Sequence, residues 1–367
     1  MAAMLSGLLP LLALSSGPLA PLYGLIRVHQ MPSLPALVSV DPGTGKLTLV
    51  DRSGAGLPTT AGTGDLVAID RSAGRYYYLG DTNMSRLVAL SLADGKEVCA
   101  TAVPQLDELQ CVGCGQSLSL DPRGNGSLLM SGIGANASAG NSYHQLLRAP
   151  LPSPRTTSSS LCPSALSVGG RFGDADYMPV AHASEYDATS QRLFVTLSTG
   201  ARSYGIGVVD TSVGQLTKVL PEATGSQLVG LTWVAAARRL VGVAQDSEAI
   251  SFRTLDPETG QWTNAPLTVM EGLNFTLATL YGNQGAVRAF DPSTGILFCL
   301  IAGHPPDGAD GSGGGAYGSG GTERRRAAET GGLHLAHVDV ATGMVVGVAP
   351  LHGDKGISSE VLLQLAA

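Results

Sequence analysis

One motif recurs along the chain: an apolar run, then Asp, three residues and Gly, then a second apolar run. It stands at Asp41–Gly45, Asp70–Gly74, Asp210–Gly214, Asp256–Gly260, Asp291–Gly295 and Asp339–Gly343. Looser versions occur at Asp94-Gly95, Asp121–Gly124, Asp187 and Ala235–Arg238. The cause is local. An Asp carboxylate hydrogen-bonds the backbone two residues on, and Gly takes the left-handed conformation that closes a short hairpin loop. The flanking segments, such as Leu66–Ile69 and Arg75–Leu79, have strand length and are rich in β-formers. No segment carries a 3.6-residue apolar period. The 49 glycines are about twice the usual share of roughly 7%, as a chain of many tight turns requires. The chain is expected to be all-β.

The hairpins are of two alternating kinds. Those near residues 70, 121, 187, 236 and 291 lead into strongly apolar second strands (Tyr76–Leu79, Leu128–Met130, Leu193–Val195, Leu240–Val243, Ile296–Phe298). Those near 41, 94, 210, 256 and 339 mostly lead into more polar strands, such as Lys46–Val50 and Gln215–Val219. A degenerate one is expected around Arg148–Leu161. The first kind suits the buried inner pair of a four-stranded blade and the second its outer pair. Inner hairpins recur every 50 to 65 residues or so, near the size of kelch blades. Six outer hairpins face only five inner ones. The free apolar segment Ser359–Leu365 can supply the missing innermost strand to the blade containing Val38–Val50, removing the ring's exposed edges. These counts predict a six-bladed β-propeller closed by the C-terminal strand. Seven blades is the runner-up, because Pro150–Tyr177 has room for a hidden hairpin.

The stretch Asp65–Lys96 resembles an NHL-type propeller repeat, with Asp81, Asn83 and Arg86 matching its D-x-N-x-x-R element. In general rhythm it is similar to YVTN and gluconolactonase-like propellers. The close match covers one blade, about a tenth of the chain, and implies the architecture without a specific family. WD40 and kelch signatures are absent.

Residues 1–20 read as a signal peptide and 21–367 as a single propeller domain. No charged side chain precedes Arg27, and the apolar run Met4–Leu14 is followed by Ser15, Ser16 and Gly17. A basic n-region is missing, and Pro18 and Pro21 crowd the cleavage point. Pro10, Pro18 and Pro21 also argue against a stable membrane span. Sequons at Asn83, Asn125, Asn136 and Asn274 point to glycosylation and a secreted, extracellular chain. Four of the five cysteines cluster, at Cys99, Cys111, Cys114 and Cys162, and are disulfide candidates; their three possible pairings remain open. At Cys111–Cys114 a thioredoxin-like site would need a following helix, whereas Gln116–Asp121 reads as a strand, and a zinc site would need two more ligands. Structural disulfides are favoured over free thiols and over a metal or redox site.

Net charge is −7, with no basic concentration for nucleic acid. Gly311–Gly321 lacks the Lys of a phosphate loop and precedes Arg324–Arg326; residues 303–332 are read as a disordered insertion. The seven histidines are scattered, and His334 and His337 are misspaced for one strand face. No catalytic motif appears. One constellation survives. Five residues before the hairpin Asp stand Asp65, Gln116 and His182 in three consecutive blades, and Glu360 takes a comparable place on the closing strand. These would ring a channel mouth. The plainer reading is polar groups satisfied around a watery channel. Gluconolactonase-like enzymes, which the repeat resembles, hold a divalent cation such as Ca²⁺ with oxygen-rich channel residues; that resemblance implies a metal-assisted hydrolase or lyase of a small lactone as the alternative. The favoured reading is a cofactor-free, monomeric binding module that engages a protein or small molecule through its long-loop face. That face is expected to carry Gly132–His144, Pro104–Gly115, Ser153–Ala181, Thr268–Gly285 and Gly303–Gly332.

Overall fold

The structure, a computed structural model, describes residues 19–27, 35–50, 67–80, 86–102, 117–123, 126–136, 141–152, 163, 167–172, 178–200, 203–220, 227–245, 250–266, 274–277, 288–304, 333–353 and 362–366. Residues 1–18 of the expected signal segment, the 103–116 stretch and most of the Gly-rich insertion lie outside them. Among the described residues there is no helix.

Strands β1 (Leu22–Arg27), β2 (Pro35–Val40) and β3 (Lys46–Leu49) open blade 1. Blade 2 follows with β4 (Val67–Asp70), β5 (Arg75–Gly80), β6 (Arg86–Ser91) and β7 (Glu97–Ala102). Blade 3 holds β8 (Ser117–Asp121), β9 (Ser127–Asn136), β10 (Asn141–Pro150) and β11 (Ser167–Phe172). Blade 4 holds β12 (Met178–Asp187), β13 (Arg192–Gly200), β14 (Ser203–Asp210) and β15 (Gln215–Leu220). Blade 5 holds β16 (Gln227–Val234), β17 (Arg239–Gln245), β18 (Ile250–Leu255) and β19 (Trp262–Pro266). In blade 6 the innermost strand comes in two pieces, β20 (Asn274–Leu277) and β21 (Arg288–Asp291), both on the same edge of β22 (Ile296–His304). β23 (Leu333–Asp339) and β24 (Met344–Pro350) complete it.

The chain then returns to blade 1. β25 (His352–Gly353) runs parallel along outer strand β3, and β26 (Leu362–Ala366) pairs with β1 from Ile26↔Leu362 to Tyr23↔Ala366. The C-terminal strand is therefore the innermost strand of the first blade, as the hairpin count required. It also touches β4 and β21, the inner strands on either side, so the ring is shut. The molecule is an all-β, six-bladed propeller. The seven-bladed alternative falls, because the described part of Pro150–Tyr177 supplies one strand, β11, the outer strand of blade 3.

Apolar packing explains why inner strands read as unbroken hydrophobic runs: a blade is covered on both faces by its neighbours. On β5, Tyr76 and Tyr78 pack with Leu25 and Leu37 of blade 1, while Tyr77 and Leu79 pack with Leu118 and Leu128 of blade 3. Between blades 4 and 5, the Phe194 and Trp233 rings stack with centroids 5.3 Å apart. The core is thus a set of seams between blades.

The turns follow their chemistry. Asp41, Asp70, Asp187, Asp210, Asp256, Asp291 and Asp339 each accept a backbone N–H within the turn at 2.8–3.0 Å. In the β6–β7 turn the anchor is Ser91 rather than Asp94: Ala93 N–H donates to Ser91 Oγ at 3.2 Å, and Gly95 N–H to the Ser91 carbonyl at 2.8 Å. The left-handed residue described after Asp121 is Gly126, with φ 84°.

Candidate functional site

Joining first to second and third to fourth strands, all these turns fall on one face of the ring, the turn face. The other face carries the connections between second and third strands and between blades. Three of the long loops expected there are in fact partly strand. Gly132–His144 is mostly the paired continuation of β9 and β10, which runs to Asn136↔Asn141. Thr268–Gly285 contains β20. Ser153–Ala181 contains β11 and the start of β12, and its first part, joining a third strand to a fourth, belongs to the turn face. These ladders form from backbone pairing, which small and polar residues allow without announcing it.

Of the channel-mouth residues, Asp65, Gln116 and Glu360 lie outside the described residues. His182 lies on β12, within a large bulge. Pro179 pairs with Leu197 and Ser184 with Val195, so the four residues 180–183 stand opposite Thr196 alone. Such bulges re-aim side chains and end regular pairing. The inner ring is irregular at three more places on its loop-face half, one of them the register shift of β26 against β1 between Leu25 and Ile26. β16 bulges between Val229 and Leu231, and the inner strand of blade 6 breaks between β20 and β21. Deeper in, Ser119 and Ser184 Oγ atoms meet at 3.3 Å and tie the inner strands of blades 3 and 4.

The sequons at Asn83 and Asn125, and Cys111, Cys114 and Cys162, lie outside the described residues. Asn136 ends β9 and Asn274 begins β20, each at the loop-face end of its strand. Cys99 sits half-buried on β7, and Cys299 is a buried thiol on β22. Among the described residues, no group of three or more His, Cys, Asp or Glu is gathered as a metal site.

A polar cluster that the sequence reading passed over as an ordinary turn lies between blades 3 and 4. Asp121, 3% exposed, takes two hydrogen bonds from the Arg123 guanidinium, at 2.9 and 2.7 Å. The Tyr186 hydroxyl of blade 4 donates to the same carboxylate at 3.1 Å, and Arg123 Nη2 donates to that hydroxyl. Burial pushes the Asp121 carboxyl up, but the hydrogen bonds and charge of Arg123 outweigh it and hold the group below its ordinary value. Burial first of all raises Tyr186. The cluster is ionised Asp, Arg and neutral phenol at neutral pH. A signal existed in the sequence: two residues after the turn Asp, four of the nine hairpins carry Ser or Thr (Ser72, Thr189, Ser212, Ser293), and this one carries Arg.

This ring is of the β-propeller class, and solved propellers are similar to it. No protein-family model matches the chain, and none of the curated proteins is similar to it. A chain in the nidogen/laminin complex aligns with a TM-score of 0.50 at 11% identity, over 95% of this chain and 98% of that one. The β-propeller domain of Cps50 (Swd1) from Myceliophteria thermophila gives 0.43 at 12% identity, over 89% of each chain. A protein from Bacteroides uniformis assigned as a 6-phosphogluconolactonase gives 0.45 at 13% identity, over 92% and 85%. At such identities the likeness establishes the fold.

Proposed function

We propose that this chain is a secreted binding module whose partner, a protein or small molecule, docks on the loop face at the channel mouth. One observation carries the reading: the innermost strands pair regularly beside their turns and irregularly toward the loop face. The turn face is built mostly from short turns, seven of them anchored by an Asp carboxylate, which leave little room for specificity. The loop-face half of the inner ring bulges at residues 180–183, bulges again at Gly230 and breaks between β20 and β21. Irregular segments on a rigid frame are where recognition usually resides. The nidogen/laminin structure offers a precedent for this frame within a protein–protein complex.

Secretion rests on the four sequons and the apolar leader. A Cys99–Cys162 disulfide fits the same compartment. Thr101, two residues after Cys99 on β7, donates from Oγ1 to the Pro163 carbonyl at 3.3 Å, and Pro163 follows Cys162 directly.

The experiment takes natively expressed protein from the culture medium. Endoglycosidase should increase its gel mobility; an unglycosylated chain starting at Met1 counts against secretion. A partner is then recovered by pull-down. Replacing His182 by Ala while shortening Pro104–Gly115 should abolish capture and leave the Tm nearly unchanged. Capture that survives this change but is lost on altering the turn face assigns the wrong side. A tightly held divalent ion in the purified protein, lost with lactone hydrolysis on chelation, would favour the hydrolase instead.

A further inference from the structure

The first described residues of the chain are built into the ring. Leu22, fully buried, starts β1, and Tyr23 stands opposite Ser39 of β2 and Ala366 of β26. The residues just before β1 are held from two sides. Leu19, half-buried, packs against the apolar cluster shared by blades 5, 6 and 1. From blade 2, Arg71 in the β4–β5 turn donates Nη2 to the Pro21 carbonyl at 2.7 Å. The same guanidinium lies over the Tyr23 ring, 5.8 Å from its centroid. Ala20 and Pro21 are exposed between these anchors. Residues 19–23 are thus a strap across the closing blade, tied to its neighbours on both sides.

The strap bears on where a leader can be removed. A cut after Ala20 would take Leu19 away and leave a charged amine on Pro21, one residue's width from the Arg71 guanidinium. Like charges at that range repel. A cut at or before Pro18 keeps every anchor.

Leader removal has its own chemistry, which wants small side chains one and three residues before the cut. Between residues 11 and 22 two bonds meet this demand. The Ser15–Ser16 bond follows Ala13 and Ser15, and the Gly17–Pro18 bond follows Ser15 and Gly17. The Ala20–Pro21 bond fails, because Pro18 takes the earlier place. In the Gly17–Pro18 bond the leaving nitrogen belongs to a proline ring, a tertiary amide with a fixed φ and no N–H to place it in a protease cleft. Ser15–Ser16 has neither defect.

We propose that the Ser15–Ser16 peptide bond is the processing site of this chain. Water is added across it, the hydroxyl going to the Ser15 carbonyl carbon and the proton to the Ser16 nitrogen. The mature protein then begins at Ser16 and keeps the whole strap. This assignment rests on the secretion proposed above.

The full-length chain is expressed in secreting eukaryotic cells, and the N-terminal peptide of the protein in the medium is read by mass spectrometry. Its first residue should be Ser16. Ser15→Leu puts a bulky side chain before both permitted bonds and should remove the Ser16 terminus, whereas Ala20→Leu should leave it unchanged. A mature chain beginning at Pro18, at Pro21 or later, or a glycosylated chain still beginning at Met1, overturns the site while leaving secretion standing. An unglycosylated chain beginning at Met1 overturns both. The strap is tested apart from export, on chains made to begin at Ser16 and at Leu22. The shorter chain should melt at least about one degree lower. Arg71→Met should lower the Tm of the longer chain by more, since only that chain offers the Pro21 carbonyl. Equal melting of the two chains would remove the reason for placing the cut before Leu19 and overturn the proposal.

Discussion

Among the described residues, two side chains occupy backbone geometry otherwise taken only by glycine. Gln191 has φ 58° and Arg238 φ 52°, while the eight other left-handed turn residues are all Gly. An L-residue pays roughly 1–2 kcal/mol in that region, part of which Gly returns as unfolded-state entropy. Gln191 lines a cavity between blades 3 and 4, whereas Arg238 is exposed at the tip of the β16–β17 turn. Arg238→Gly should therefore stabilise the protein by about 0.5–1 kcal/mol, seen as a higher urea midpoint with an unchanged slope. A lower midpoint would show that the Arg238 side chain holds the turn by other means. His337 gives a second prediction at this scale. Its ring meets Phe298 edge-on at 5.1 Å and lies where a Cβ on Gly347 would come within 3.0 Å of Nδ1. Burial lowers its pKa from 6.5. Between the lowered native value and the unfolded one, the unfolded chain binds more protons. The contribution is thus complete above about pH 6.5 and is lost as pH falls through the native pKa. His337→Phe should flatten the stability–pH curve over that window, and a curve of unchanged slope would exclude His337 as its source.

Single elements show what could be read from sequence and what could not. The Asp-anchored turns were legible because their cause spans five residues, so ten hairpins could be placed and sorted into inner and outer pairs. Strand reach was not. β9 and β10 continue through Gly132, Gly134 and Ala135, residues that look like loop until a partner strand is beside them. The same holds for β20, four residues that among the described residues pair with the far end of β22. The candidate sites divide in the same way. His182 was picked out by its offset from Asp187, but the bulge around it comes from mismatched lengths of β12 and β13. The Asp121–Arg123–Tyr186 cluster needs Tyr186 from another blade, more than sixty residues away in sequence. Turn chemistry is local, whereas bulges and seams are relations between strands.

At the scale of the whole ring, blade 1 is gripped on both edges by the returning chain: β25 along β3 and β26 along β1. His352 N–H donates to the Gly45 carbonyl at 3.2 Å, and a Cβ on Gly45 would stand 2.3 Å from the Pro350 carbonyl oxygen, so the crossing is tight. Deleting residues 358–367 should remove β26, open the ring beside β4 and β21, and cost most of the stability, with the unfolding transition lost or broadened. A truncated chain that melts as sharply and as high as the parent would show that the inner strand is dispensable. The closure also sets a clock on biosynthesis. Leu362 leaves the ribosome 340 residues after Leu22, roughly 20 to 70 s later at common elongation rates. Throughout that interval β1 has no inner neighbour, and its open edge is a template for any passing strand. A slow-translating cell, or one short of the chaperones that shield such edges, should therefore lose this protein to aggregation before it is ever complete.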